Sequence, residues 1–190
     1  MAYQDDIKKA AALLLPWNKL SGCNILVTGA TGLIGGCLVD VLMAHKGRNY
    51  NVYASGRNEE RAGRRFLKYA DDNSFHFVKY DVAHPLEYDV NFQYIIHAAS
   101  GAYPEEFIKH PVEVIKGNIN GVDNLMGYGI QHGIKRLLYI SSGEVYGEGD
   151  GRVFTENYSG YVDCTSLRSC YPSSKRAAET LCISYGAEYG

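Results

Sequence analysis

The stretch "NILVTGATGLIGGCLVDVLMAHKG", Asn24 to Gly47, constrains this chain more than any other. It opens with an apolar run suited to a buried strand and continues with apolar residues at helical spacing, ending on a glycine. Between strand and helix, Gly29, Gly32 and Gly35 stand as GxxGxxG. In a turn of this kind the first glycine takes a backbone angle that other residues resist. The second lets the main chain approach a pyrophosphate, and the third packs helix against strand. The helix N-terminus then presents free N–H groups and a partial positive charge to phosphates. Thr31, Leu33 and Ile34 share the turn and are expected to lie along the same ligand.

The remainder repeats the alternation. "YNVYASG" reads as a strand, "NEERAGRRFLKYA" as a helix, and "FHFVKYDV" and "FQYIIHAAS" as strands. Helical segments follow at "PEEFIKH" and "PVEVIKGNINGVDNLMGYGIQHG", the second ended by Gly133, and "KRLLYISS" is the fifth strand. From Gly147 to Cys170 the composition turns to Gly, Asp, Glu, Ser and Tyr with little periodicity, which predicts a long loop at the mouth of a site. "YPSSKRAAETLCISYGAEYG" is helical. This rhythm predicts an α/β fold with a doubly wound parallel sheet, Rossmann-type. A helical leader over residues 1–21 precedes a dinucleotide-binding domain over 22–190. At 190 residues and 46% hydrophobic content, one sizeable core is expected.

Composition excludes several function classes. Net charge is −2 and no run of Lys or Arg forms a nucleic-acid footprint or a polybasic anchor, so neither nucleic acid nor membrane is expected as a partner. The apolar stretch of the leader is short and preceded by Asp5 and Asp6, unlike a signal peptide. No stretch approaches the roughly 20 apolar residues of a membrane span. Five cysteines with no CxxC pair fit reduced thiols in a cytoplasm. The six histidines show no HExxH-like spacing, and no metal site is expected.

With GxxGxxG in this context, the chain resembles the extended short-chain dehydrogenase/reductase superfamily. Several residues match that family in order. Asp81 and Val82 match its adenine-contacting pair, while Ala98 and Ala99, with Ser100 after them, match the small residues along which the cofactor lies. Asn118 matches its helix asparagine, though Val122 stands where Thr is usual. The acidic residue expected about 20 positions beyond the glycines, which would hold a ribose 2′-hydroxyl, is replaced by "ASGRN". Arg57 suits a 2′-phosphate, since a planar guanidinium binds phosphate bidentately. NADP is therefore favoured as cofactor over NAD.

Tyr171 precedes Lys175 by four positions, one helical turn, so both can point at one ligand. A phenol titrates near 10, and a nearby ammonium favours its phenolate, making a usable base. In a chain with 16 tyrosines the pair alone says little. Ser142, at the end of the fifth strand, supplies the missing context. "ISSGEVYG" followed by YxxxK resembles the nucleotide-sugar epimerase/dehydratase branch of the superfamily, over nearly the whole chain from Cys23. The resemblance implies that Ser142 binds the sugar's reacting oxygen, Tyr171 removes the O4 proton, and Lys175 lowers the phenol pKa and holds the ribose. Tyr171 and Lys175 thus contact cofactor as well as substrate, and a 4-keto sugar results.

Glu144 matches the carboxylate that acts near C5 in dehydratases and decarboxylases of this branch, a residue 4-epimerases usually lack. Where dehydratases have an acid before it, this chain has Gly143, which leaves decarboxylation and epimerisation both open. A non-catalytic dinucleotide sensor or scaffold is the alternative from another class. The implied substrate is a nucleotide-diphosphate sugar and the implied full-length assembly a homodimer. Family members are considerably longer, with a small substrate domain largely absent here. The 190-residue chain alone is expected to bind dinucleotide without turning over sugar.

Overall fold

β1 (Asn24–Thr28) is buried from Ile25 onward on both faces, as a strand inside a parallel sheet with flanking helices must be. The computed structural model describes residues 2–101 and 103–190. The sheet has five strands in the order β3-β2-β1-β4-β5. β2 (Asn51–Gly56) and β4 (Tyr94–His97) run parallel to β1 on either side, so that Ile25 lies between Val52 and Tyr94. β3 (Phe75–Lys79) is parallel to β2, and β5 (Arg136–Tyr139) closes the other edge. The order reverses at β1, the point where doubly wound sheets open a crevice for ligands.

The strands stop short of the apolar runs that encode them. β3 ends at Lys79 and β4 at His97, which leaves Asp81 and Ala98 to Ser100 in the connections beyond the strand ends. The helices are α1 (Ala2–Ala11), α2 (Leu33–Ala44), α3 (Glu59–Phe66), α4 (Pro104–Lys109), α5 (Pro111–Gln131) and α6 (Cys170–Tyr189). α3 begins where the Asn58 side chain accepts from Arg61 N at 2.8 Å, and its acids and bases are sorted to suit the helix dipole, Glu59 and Glu60 first, Arg64 and Arg65 last. Among the described residues no helix is long and apolar enough to cross a membrane.

The chain forms two compact units. One comprises the residues through Asp81 with Leu86–Ala99 and Tyr128–Leu138, and the other Val82–Pro85, Ser100–Gly127 and Tyr139–Gly190. In the first, Ile25, Val27, Val39, Val52 and Phe66 form the centre of a core edged by Trp17, Tyr69 and Phe75. Asp40 on α2 is wholly buried there. It receives Arg65 at 2.6 Å, Lys68 at 2.9 Å, Tyr3 at 2.7 Å and Tyr69 at 2.9 Å. Burial pushes its carboxyl up, but these donors outweigh burial and hold it down at about 2. In the second unit, Phe107 on α4, Val114 on α5, Cys170 and Tyr171 pack together. Tyr185 on α6 donates to Asp123 on α5 at 2.6 Å.

Candidate functional site

In the first unit the glycine turn is built for close backbone approach. Gly29 has φ +64°, and a Cβ there would lie 2.6 Å from the Ala98 carbonyl oxygen and 2.7 Å from the Ala99 Cα. A Cβ on Gly35 would collide with the Gly29 carbonyl, and one on Gly32 would stand 3.1 Å from it. Ala98 and Ala99 are fixed in turn by buried polar groups. The Thr28 hydroxyl pairs with His97 Nδ1 at 2.7 Å and accepts from Ala99 N at 3.4 Å.

Gly32 caps α2 without any side-chain acceptor, so the first-turn N–H groups are not taken by a cap. Leu33 and Ile34 at that helix start are apolar yet exposed. A cradle with no room for a Cβ at Gly29 or Gly35 and uncapped donors beside it fit a dinucleotide's pyrophosphate. Arg57 Nη1 is 3.8 Å from Asp81 Oδ2, with the arginine side chain 80% exposed. Arg61, which the sequence reading passed over, donates Nη2 to the Thr31 carbonyl at 3.1 Å.

The second unit gathers the remaining candidates. Tyr171 and Lys175 are both buried on α6, Lys175 to 2% exposure. The Lys175 ammonium donates to the Ile140 carbonyl at 2.9 Å, lies 4.4 Å from the Tyr139 ring centre and 5.8 Å from that of Tyr171. Burial lowers its pKa to about 8, against a smaller opposing pull from Glu179. Asn118 donates to Ser174 Oγ at 2.9 Å and accepts from Ser100 Oγ at 2.8 Å, tying the residue before Lys175 to the chain after β4. The Val82 carbonyl accepts from Asn124 at 2.9 Å.

Ser142 caps a short 3-10 turn over Gly143–Tyr146, its hydroxyl accepting from Glu144 N at 3.3 Å. That turn sets Ser142 and Glu144 side by side. Glu144 Oε1 accepts from Arg168 Nη2 at 2.6 Å. The Arg168 guanidinium lies 4.7 Å from the Phe107 ring centre, and Phe107 stacks on Tyr171 at 4.6 Å. Arg168 stands three residues before Tyr171, in a stretch whose sequence reads only as loop. Its position just ahead of the YxxxK helix was the available signal. Arg176 donates Nε to the Val145 carbonyl at 2.6 Å and Nη2 to the Gly160 carbonyl at 2.9 Å, pinning both ends of the loop between them.

Within each unit the expected residues therefore converge: Gly29, Gly32 and Gly35 with Ala98 and Ala99, and Arg57 with Asp81, in the first; Ser142 with Glu144, Tyr171 with Lys175, and Ser100 with Asn118 in the second. Among the described residues no group of three or more His, Cys, Asp or Glu could hold a metal ion.

The chain is 36% identical over 173 residues to UDP-glucuronic acid decarboxylase 6 of Arabidopsis thaliana, covering 90% of this chain and 48% of that protein. Two solved structures share the fold. The dTDP-glucose 4,6-dehydratase of Bacillus anthracis str. Ames in complex with NAD superposes with a TM-score of 0.70 at 22% identity, over 88% of this chain and 52% of that one. The UDP-N-acetylglucosamine 4-epimerase of Methanobrevibacter ruminantium M1 in complex with UDP-N-acetylmuramic acid gives 0.73 at 23% identity, over 90% and 52%. The chain thus spans about half the length of these relatives. The profile of the NAD dependent epimerase/dehydratase family matches residues 25–190, and the chain belongs to that family.

Proposed function

We propose that this chain is the dinucleotide-binding and proton-transfer portion, residues 22–190, of a nucleotide-sugar enzyme that acts through a 4-keto intermediate and removes the C6 carboxylate of a UDP-hexuronate. The observation that carries the reading is Glu144, a carboxylate set beside Ser142 by one short turn, in a chain 36% identical to a UDP-glucuronic acid decarboxylase. A nicotinamide dinucleotide on the glycine turn would supply the hydride acceptor for C4 and later its donor. Ser142 holds the reacting oxygen and Tyr171 takes the O4 proton, with Lys175 one turn along the same helix. Glu144 serves C5, which must regain a proton after the C5–C6 electron pair has moved into the sugar ketone and CO2 has left. Retention of Tyr171, Lys175 and Ser142 speaks against a non-catalytic sensor.

In the full-length protein supplied with UDP-glucuronate, Glu144→Gln is expected to keep the transient nicotinamide absorbance of the first hydride transfer. Product formation should fall by on the order of 100-fold. Tyr171→Phe suppresses both. Undiminished product formation by Glu144→Gln would leave 4-epimerisation, which needs no acid at C5, as the better account.

NADP is proposed over NAD, because Arg57 is exposed where a 2′-phosphate would sit and Arg61 adds a second guanidinium at Thr31. Titration calorimetry should find NADP tighter, and Arg57→Ala should weaken it about tenfold while leaving NAD within a factor of two. Equal affinities in the unmodified protein would end that preference. A cytoplasmic homodimer completes the proposal. Fractionation and sedimentation of the full-length protein test it, and a monomer at micromolar concentration would count against it.

A further inference from the structure

Glu144 is held by a side chain to which the family motif gives no part. We infer that Arg168 is the positioning residue for Glu144, its guanidinium fixing the carboxylate on the Ser142 turn while its flat face rests on the ring that stacks against Tyr171. The inference rests on the decarboxylase reading for what Glu144 does, and on geometry alone for what Arg168 does.

Two contacts place the cation, and a third ties its ring to Tyr171. Its Nη2 meets Glu144 Oε1 at 2.6 Å, its guanidinium carbon lies 4.7 Å from the Phe107 centroid, and Phe107 is stacked on Tyr171 at 4.6 Å and 23°. The backbone beneath it is also fixed. Ser166 Oγ accepts from Arg168 N at 3.3 Å, Asp163 Oδ1 accepts from Thr165 N and Oγ1 at 2.9 and 2.7 Å, and Ser169 Oγ donates to the Asp163 carbonyl. The hydrogen bond to Glu144 raises the arginine's own pKa, so the cation stays charged throughout.

A pair this exposed, 49% and 37% on the two side chains, contributes little to stability. What it does supply is direction. A planar guanidinium bound to a carboxylate and held over an aromatic ring leaves that carboxylate far fewer orientations than water would, and an ammonium, a point charge without the rigid fork, fixes its direction less well. Orientation is where the rate lies, because a misplacement of about 1 Å at a reacting group costs on the order of 100-fold. The same ring meets both Arg168 and Tyr171, so the proposed acid and base are referred to one rigid element.

The test compares unmodified full-length protein with Arg168→Lys, Arg168→Gln, Glu144→Gln and the double variant Arg168→Gln/Glu144→Gln. On UDP-glucuronate, Arg168→Gln should lower kcat by on the order of 100-fold with KM within about threefold. Arg168→Lys should recover about tenfold of that. The double variant should be no slower than Glu144→Gln, since one residue acts through the other. Product formation by Arg168→Gln within about threefold of the unmodified protein overturns the assignment. So does a double variant slowed by both factors in full. If the unmodified protein releases no CO2 from UDP-glucuronate, the decarboxylase reading falls and Arg168 is judged by NMR of its labelled guanidinium. A changed Arg168 signal in Glu144→Gln supports the pairing, and an unchanged one overturns it.

Discussion

Asp40 in the first unit and Lys175 in the second are both buried ionisable side chains, and their surroundings treat the charge in opposite ways. Asp40 is met by two cations and two phenols, and its pKa falls to about 2 despite burial, so the carboxylate is the stable form. Lys175 has a backbone carbonyl at 2.9 Å and the face of Tyr139, with Glu179 too weak to offset burial, and its pKa falls to about 8. The first charge is fully compensated and fastens α1 and α3 to α2. The second is left short of partners on the helix that carries Tyr171. Under-compensation of this kind marks groups whose charge is used rather than stored.

The sharpest way to break the contrast is Asp40→Asn. Removing the carboxylate strands Arg65 and Lys68, whose side chains are partly exposed, so the loss should fall near the low end for a broken buried pair, about 3 kcal/mol in denaturant titration. A loss below about 1 kcal/mol would mean the cluster is already well solvated. Lys175→Met should act the other way. The unmodified protein bears the cost of a buried ammonium below pH 8, so this variant should be more stable by about 1 kcal/mol at pH 7, after the lost bond to Ile140 is counted, while losing hydride transfer. A clearly destabilised variant would show that Lys175 is structural.

The pH dependence separates the two sites further. Asp40, depressed from 3.8 to about 2, contributes stability present above 3.8 that is lost as pH falls toward 2. Lys175, depressed from 10.5 to about 8, binds more protons unfolded than folded between those values, so stability should rise with pH from 8 to 10.5. That rise should vanish in Lys175→Met. The smallest effect belongs to Glu179→Gln, which removes a charge that supports the ammonium and should move the Lys175 titration slightly lower, readable by NMR of the labelled side chain.

The sheet was legible because each strand and helix carries its own periodic signal, and the glycine turn because three glycines at fixed spacing have few other uses. The placement of Tyr171 and Lys175 on one helix was legible, since four residues make about one turn, and so was that of Ser142 shortly after the fifth strand. Arg168 was not, because its partner Glu144 is 24 residues away and the intervening chain has no period to carry a register. Asp40 was equally hidden. On an otherwise apolar helix it reads as a solvent-facing residue until Tyr3, Arg65, Lys68 and Tyr69 are brought to it from distant segments.

Arg176 makes the segment between Val145 and Gly160 a buckled strap. Its guanidinium closes the base, Gly160 N donates to the Tyr146 carbonyl at 2.8 Å, and Glu148 N donates to the Tyr161 carbonyl at 2.9 Å. Gly147, at φ +71°, and Gly160 sit where a Cβ would meet the opposing backbone, so the two sides of the buckle close without side chains between them. Phe154 stacks on Tyr146 and the Tyr158 hydroxyl donates to the Glu148 carbonyl at 2.9 Å, but length beyond the buckle is nearly free: each doubling costs only about 0.6 kcal/mol in closure entropy. A library of replacements for residues 149–159, the stretch between Glu148 and Gly160, would vary this loop while leaving the Arg176 buckle and the Ser142 turn in place.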